Sequence, residues 1–202
     1  VSDTTCRRHT DLQCIQEIFI CMLCLVITCF RICILLGETL SLINRVIQLR
    51  ICITHLPGID KELKTLNLIP SVMASEKAKR AGCQETVFYR EGGRVTECAH
   101  SNVHIVKDGA LYTAPLDNLI LPGIARKHLI QACDRLGIAV HEEPYYLEDL
   151  FAAEEVLVTS SSNLCLHAHE IDGKPVGGKQ PELIEALRKE VISEFLSATE
   201  AD

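Results

Sequence analysis

The feature that most constrains the fold is a succession of short extended runs and amphipathic helices after residue 60, with glycine at the turns between them. Glu-Gly-Gly at 91–93 and Asp-Gly at 108–109 are typical of hairpin turns. The run 123–136 has apolar residues at helical spacing, with Arg126 on its polar face, and Gly137 predicts its end. This order of elements predicts an α/β domain.

The remaining elements are predicted in the same way from periodicity and turn residues. Further helices are predicted at 68–81, 147–153 and 181–196. Strands are predicted at 86–90, 94–96, 102–107, 110–113, 138–140, 156–159 and 164–168. Residues 60–202 therefore form one predicted domain.

Residues 1–59 differ from this domain in composition, since they hold most of the eleven cysteines and few turn signals. The run 18–36 is nearly all apolar but contains Arg31, and its length is marginal for a membrane span, which needs about 20 residues. We expect an atypical segment foreign to the domain that follows, rather than a membrane span, although the apolar run keeps that alternative open. A helix is predicted at 40–53.

Composition excludes several functions. The formal net charge of −7 argues against nucleic-acid binding, which needs a basic surface to neutralise phosphates. Cys21 and Cys24 form a CxxC, but no second ligand pair with zinc-site spacing follows, so no metal site is expected. The cysteines scattered after residue 60 are predicted to be small buried apolar residues in a reducing cytoplasm.

A few residues could carry chemistry together. Glu97 is an acid on a predicted strand, and a buried carboxylate needs a partner such as a protonated pyridine nitrogen. A helix beginning at Gly123 and Ile124 presents free backbone N–H groups to an anion. Hydroxyls at 160–162 suit a phosphate, and Lys64 precedes an apolar run that would lower the pKa of its amine. Each feature alone is common, so the hypothesis depends on their combination.

Four motifs carry a resemblance to a known family. They are Leu63-Lys64-Thr65-Leu66-Asn67, Thr96-Glu97 with Ser101-Asn102-Val103, the run Asn-Leu-Ile-Leu-Pro-Gly-Ile-Ala-Arg at 118–126, and Val-Thr-Ser-Ser-Ser at 158–162. In order and spacing they resemble the class IV pyridoxal-phosphate aminotransferases, from about residue 63 to the C-terminus. The resemblance implies the mixed-sheet, pseudo-barrel large domain of that family, and its D-amino-acid branch is the most similar.

The resemblance also implies roles for individual residues. Lys64 would hold pyridoxal 5'-phosphate and move the proton between substrate and cofactor, and Glu97 would pair with the ring nitrogen. Leu121 would pack on the ring. The phosphate would be bound by the backbone of Ile124 and Ala125 and by the hydroxyls of Ser160, Ser161 and Ser162.

The implied reaction is a ping-pong transfer of an amino group between an amino acid, expected to be a D-amino acid, and a 2-oxo acid, by a homodimer. Branched-chain L-amino acid aminotransferases and aminodeoxychorismate lyases share the same lysine and glutamate, so both remain alternatives. Members of the family carry a preceding small domain that helps to bind substrate, and residues 1–59 do not resemble it. An inactive fragment is therefore a third alternative.

Overall fold

The computed structural model describes Gln48–His55 and residues 69–200. The chain divides into two compact units, Val1–Arg45 and Val46–Asp202, and every described residue belongs to the second. Within those described ranges, no helix is both long and apolar enough to cross a membrane. The apolar run 18–36 lies outside the described residues.

The described chain forms nine strands and four α-helices. The strands are β1 Gln48–His55, β2 Glu85–Tyr89, β3 Val95–Cys98, β4 Asn102–Lys107, β5 Ala110–Thr113, β6 Val140–Glu142, β7 Glu155–Ser160, β8 Leu164–Ile171 and β9 Lys174–Pro175. The helices are α1 Ile69–Arg80, α2 Ile124–Leu136, α3 Leu147–Ala152 and α4 Pro181–Glu200. A short 3-10 turn spans Glu91–Gly93. The predictions after residue 68 are confirmed, with ends that shift by a few residues.

These strands form one mixed sheet in the order β3-β2-β1-β8-β7-β4-β5-β6, with β9 paired to β8. β1 pairs in parallel with β2 and β8, and β5 pairs in parallel with β6. The other pairs are antiparallel, including the β4–β5 hairpin at Asp108 and Gly109. The predicted α/β architecture with a mixed sheet is confirmed.

The helix predicted at 40–53 is wrong over residues 48–53, which belong to β1. The apolar spacing fits one face of a helix, but the β-branched Ile51 and Ile53 favour a strand, and β2 and β8 hydrogen-bond to β1 on both sides. Ile51 is completely buried as a result. β1 lies within residues 1–59 and yet belongs to the same sheet as the strands after residue 60. For the rest of residues 1–59, the expected division stays a prediction.

The sheet has an apolar core on each face because side chains alternate along its strands. Ile105 and Val156 belong to one buried cluster, together with Leu150 of α3. Their neighbours Val106 and Leu157 belong to the other cluster, which α2 and α4 complete. Buried side chains on both faces hold β4 and β7 firmly, and the candidate site lies where these two strands meet at Asn102 and Thr159.

His104 is a polar residue in the middle of β4 and is completely buried. Its Nδ1 lies 2.9 Å from the Thr113 hydroxyl, and its Nε2 lies 2.9 Å from the Thr159 hydroxyl. Burial lowers the pKa of His104 to about 3, with a smaller contribution from the charge of Arg126. The neutral imidazole therefore connects β4 to both of its neighbours.

We expect acid to destabilise the protein through His104. An unfolded histidine has a pKa of about 6.5, so below that pH the unfolded chain binds a proton that folded His104 does not bind until about pH 3. The free energy of unfolding should therefore fall as the pH drops from 6.5 towards 3, by about 2 kcal/mol between pH 7 and pH 5. Urea unfolding at the two pH values measures this difference.

The control variants are His104→Gln, which cannot titrate, and His141→Gln, which removes an exposed histidine. The His104 variant should lose this part of the pH dependence, and the His141 variant should keep it. An unchanged pH dependence in His104→Gln would contradict the prediction.

Candidate active site

The structure describes every predicted site residue except Lys64, which lies outside the described residues. The described residues are Glu97, Leu121, Ile124, Ala125, Ser160, Ser161 and Ser162. They come from three places in the chain: the end of β3, the start of α2 with the segment before it, and the end of β7 with the turn after it.

Glu97 lies in β3 and is only 4% exposed. Its Oε2 accepts a hydrogen bond of 2.8 Å from the backbone N–H of Leu121. A buried carboxylate needs such donors because it has lost its hydration. This bond orients the carboxylate and joins β3 to the segment that leads into α2.

Asn102, at the start of β4, binds the same residue from the other side. Its Nδ2 donates to the Leu121 carbonyl at 2.9 Å, so the Leu121 peptide groups bind both Glu97 and Asn102. Gly123 packs directly on this amide, since a Cβ at position 123 would lie 2.1 Å from Asn102 Oδ1. The close approach fixes the entrance of α2 beside β3 and β4.

The first turn of α2 begins after Gly123, and no side chain caps it. The backbone N–H groups of a first turn have no partner within their helix, and the helix dipole makes this end positive. Ala125 is buried, and the Ile124 side chain is 57% exposed. This end of the helix can therefore accept an anion.

Arg126 anchors that turn, a role that its predicted place on the polar face of the helix did not indicate. It is 3% exposed, and its guanidinium donates to Thr113 Oγ1 at 3.2 Å, the Ala114 carbonyl at 3.0 Å and Glu142 Oε2 at 2.7 Å. These bonds fix the start of α2 to β5 and β6. Its position in the Ile-Ala-Arg motif was the one available signal.

The serine turn, Ser160–Asn163, follows Thr159 at the end of β7, and Thr159 pairs with Asn102 across the β4–β7 ladder. Ser160 Oγ accepts a 3.2 Å hydrogen bond from the Asn163 N–H and lies 3.3 Å from Ser162 Oγ. Ser161 and Ser162 are exposed. The hydroxyl of Ser160 thus shapes the turn, while the next two residues present theirs to solvent.

These three places are connected through Leu121 and Asn102. The Leu121 peptide groups bind both Glu97 and Asn102, and Asn102 in turn pairs with Thr159, the residue before Ser160. The carboxylate suits a cationic ring nitrogen, and the helix start and the hydroxyls suit a phosphate. These described residues therefore fit pyridoxal phosphate, the cofactor that the family resemblance implies.

Gly123→Ala should damage this site through a clash. The new Cβ would displace the Asn102 amide, which lies 2.1 Å away, and so break the bond from Asn102 to the Leu121 carbonyl. We expect the free energy of unfolding to fall by about 1–3 kcal/mol, as measured by urea unfolding.

A double-mutant cycle with Asn102→Ala isolates the clash. With the amide absent, Gly123→Ala should cost clearly less than it does in the wild-type background. Equal costs in the two backgrounds would show that the close approach does not limit position 123.

Comparison with known proteins gives a consistent result. Residues 39–171 match the family model for amino-transferase class IV. A D-alanine aminotransferase of Listeria monocytogenes is 38% identical over 138 residues, which cover 68% of this chain and 47% of the relative. A D-alanine aminotransferase of Staphylococcus haemolyticus is 41% identical over 116 residues, which cover 57% of this chain and 41% of that relative. The chain spans about half the length of the curated relatives it matches.

Solved structures with the same fold include branched-chain amino acid aminotransferases. The T.th. enzyme with pyridoxamine 5'-phosphate has a TM-score of 0.66 and 25% identity, covering 72% of this chain and 51% of its own. The Escherichia coli enzyme has a TM-score of 0.61 and 26% identity, and the alignment covers 74% of this chain and 52% of the E. coli chain.

Proposed function

Because this chain belongs to the class IV aminotransferases, we propose that it is the cofactor-binding part of an enzyme that transfers an amino group from an amino acid to a 2-oxo acid. The family and its mixed-sheet fold are as predicted from the sequence. Enzymes of this family use pyridoxal 5'-phosphate, and one solved relative contains its aminated form.

The observation that carries the proposal is the buried Glu97 carboxylate, held by the Leu121 N–H beside the uncapped start of α2. The bound cofactor supplies a protonated ring that withdraws electrons from the substrate Cα. Glu97 would keep the ring nitrogen protonated by pairing with it. The Leu121 N–H would keep the carboxylate in place for that pairing.

The other residues divide the remaining tasks. Lys64 would hold the cofactor through Nζ and carry the proton from the substrate Cα. The Leu121 side chain would pack on the ring. The backbone N–H groups of Ile124 and Ala125 would bind the phosphate, and the hydroxyls of residues 160–162 would complete its coordination.

For the substrate we propose a D-amino acid, because the relatives at 38% and 41% identity are named D-alanine aminotransferases. The solved branched-chain amino acid aminotransferases, at 25% and 26% identity, favour a branched-chain amino acid as the alternative. A solved lyase neighbour from Legionella pneumophila is only 23% identical and shows the fold alone.

Turnover of D-alanine and of L-leucine, each with 2-oxoglutarate and added cofactor, tests the proposal. We expect D-alanine to react faster, and faster L-leucine turnover would favour the branched-chain alternative. Release of pyruvate from aminodeoxychorismate without any 2-oxo acid would indicate a lyase. The absence of both turnover and an absorption band of bound cofactor would support the inactive fragment.

We also propose a homodimer, which the family resemblance implies. For the location we propose the cytoplasm. The free thiols of the five cysteines in the described ranges suit a reducing compartment. Sedimentation measures the oligomeric state, and fractionation of the native cells measures the location.

A further inference from the structure

Two cysteine thiols are in contact although they are 31 residues apart in the sequence. Sγ of Cys52, in β1, lies 2.7 Å from Sγ of Cys83, in the turn between α1 and β2. Both are free thiols. Cys52 is partly exposed and Cys83 is only 8% exposed, so a reagent in solution reaches Cys52 first.

The backbone around the two thiols is fixed by hydrogen bonds. The Gln84 N–H donates to the Arg50 carbonyl at 2.9 Å, and the Arg50 N–H donates to Gln84 Oε1 at 2.8 Å. The Cys83 N–H donates to the Ala78 carbonyl at 2.9 Å. A disulfide has an S–S distance of about 2.05 Å, so the sulfur atoms must move only roughly 0.7 Å closer.

We propose that Cys52 and Cys83 are a redox modification site that hydrogen peroxide converts to an intramolecular disulfide. The Cys52 thiolate attacks one peroxide oxygen, the O–O bond breaks, and water leaves after protonation, so that Cys52 becomes a sulfenic acid. The Cys83 thiolate then attacks the Cys52 sulfur, an S–S bond forms, the S–O bond breaks, and a second water leaves. Two thiols lose two protons and two electrons, and one peroxide becomes two waters.

The surroundings of Cys52 determine the rate of this reaction. Burial, followed by the neighbouring Cys83 thiol and the Asp172 carboxylate, raises the pKa of the Cys52 thiol to about 12. The thiolate is therefore scarce at neutral pH, and the cross-link should form slowly. In the sequence, Lys64 lies between the two cysteines, so the disulfide would enclose the proposed catalytic lysine in a covalent loop.

Peptide mapping of the wild-type full chain tests the proposal. The protein is treated with hydrogen peroxide at mildly alkaline pH, unfolded, alkylated and digested without reductant. We expect a linked peptide pair that joins Cys52 to Cys83, has lost two hydrogen atoms and separates on addition of a thiol reductant. Alkylation of both cysteines after oxidation, or linkage of Cys52 to a different cysteine, would overturn the proposal.

Two variants test the order of the steps. In Cys83→Ser, the sulfenic acid at Cys52 has no resolving thiol, so dimedone should label Cys52 at least several-fold more than in the wild type. Cys133→Ser, which removes a completely buried thiol, should leave the Cys52–Cys83 linkage unchanged. No increase in dimedone labelling in Cys83→Ser would contradict the role of Cys52 as the thiol that is oxidised first.

Discussion

Lys64→Ala is expected to abolish transamination, with a fall in turnover of at least about 1,000-fold. The proposed role of Lys64 combines two functions, since its amine would hold the cofactor and also move the substrate proton. Alanine can do neither. Steady-state turnover with D-alanine and 2-oxoglutarate measures the loss of transamination. Borohydride reduction in the presence of cofactor measures the loss of cofactor attachment, because it fixes a pyridoxyl group to the lysine that holds the cofactor.

Lys61→Ala is the matched control, because Lys61 lies three positions earlier but is not followed by the Thr-Leu-Asn of the family motif. The control should keep both turnover and the pyridoxyl label on the peptide that contains Lys64. In Lys64→Ala the label should disappear from that peptide. The assignment to Lys64 would be contradicted if the label persisted on that peptide in Lys64→Ala. It would also be contradicted if the label were lost only in Lys61→Ala.

Local signals were sufficient to predict most of the described fold. The β4–β5 hairpin was predicted at its observed bounds, because Asp108 and Gly109 both have the positive φ angles that a tight turn needs. The end of α2 was likewise predicted correctly from Gly137, which ends the helix in the left-handed conformation, and its start was predicted within one residue. β1 was missed because its conformation depends on pairing with β2 and β8, up to 120 residues away in the sequence.

The candidate site shows the same limit. The sequence indicated that Glu97 would be a buried acid in need of a partner, and its burial is confirmed. It did not indicate that Leu121 would be a donor to it, nor that Asn102 would pack against Gly123. Nor could it place His104 between two hydroxyls, because Thr159 is 55 residues away. These contacts arise only when the strands have assembled.

Glu97→Gln is expected to reduce turnover by about 100-fold to 1,000-fold while leaving stability nearly unchanged. The glutamine amide has almost the shape of the carboxylate, and its Oε1 can still accept the hydrogen bond from the Leu121 N–H. It carries no charge, so it cannot hold a proton on the cofactor ring nitrogen by ion pairing. Turnover at saturating cofactor and urea unfolding of the same preparation measure the two effects.

Glu85→Gln is the matched control, since Glu85 is another buried carboxylate, 8% exposed, in the neighbouring strand β2. Its partners belong to the protein: the Ser101 hydroxyl donates to it at 2.8 Å and the Thr86 N–H at 2.9 Å. Loss of its charge should therefore change turnover by only a few fold. Equal losses of turnover in the two variants would mean that Glu97 acts through the fold and not on the cofactor. A loss of turnover in Glu97→Gln that is matched by a loss of stability would mean the same.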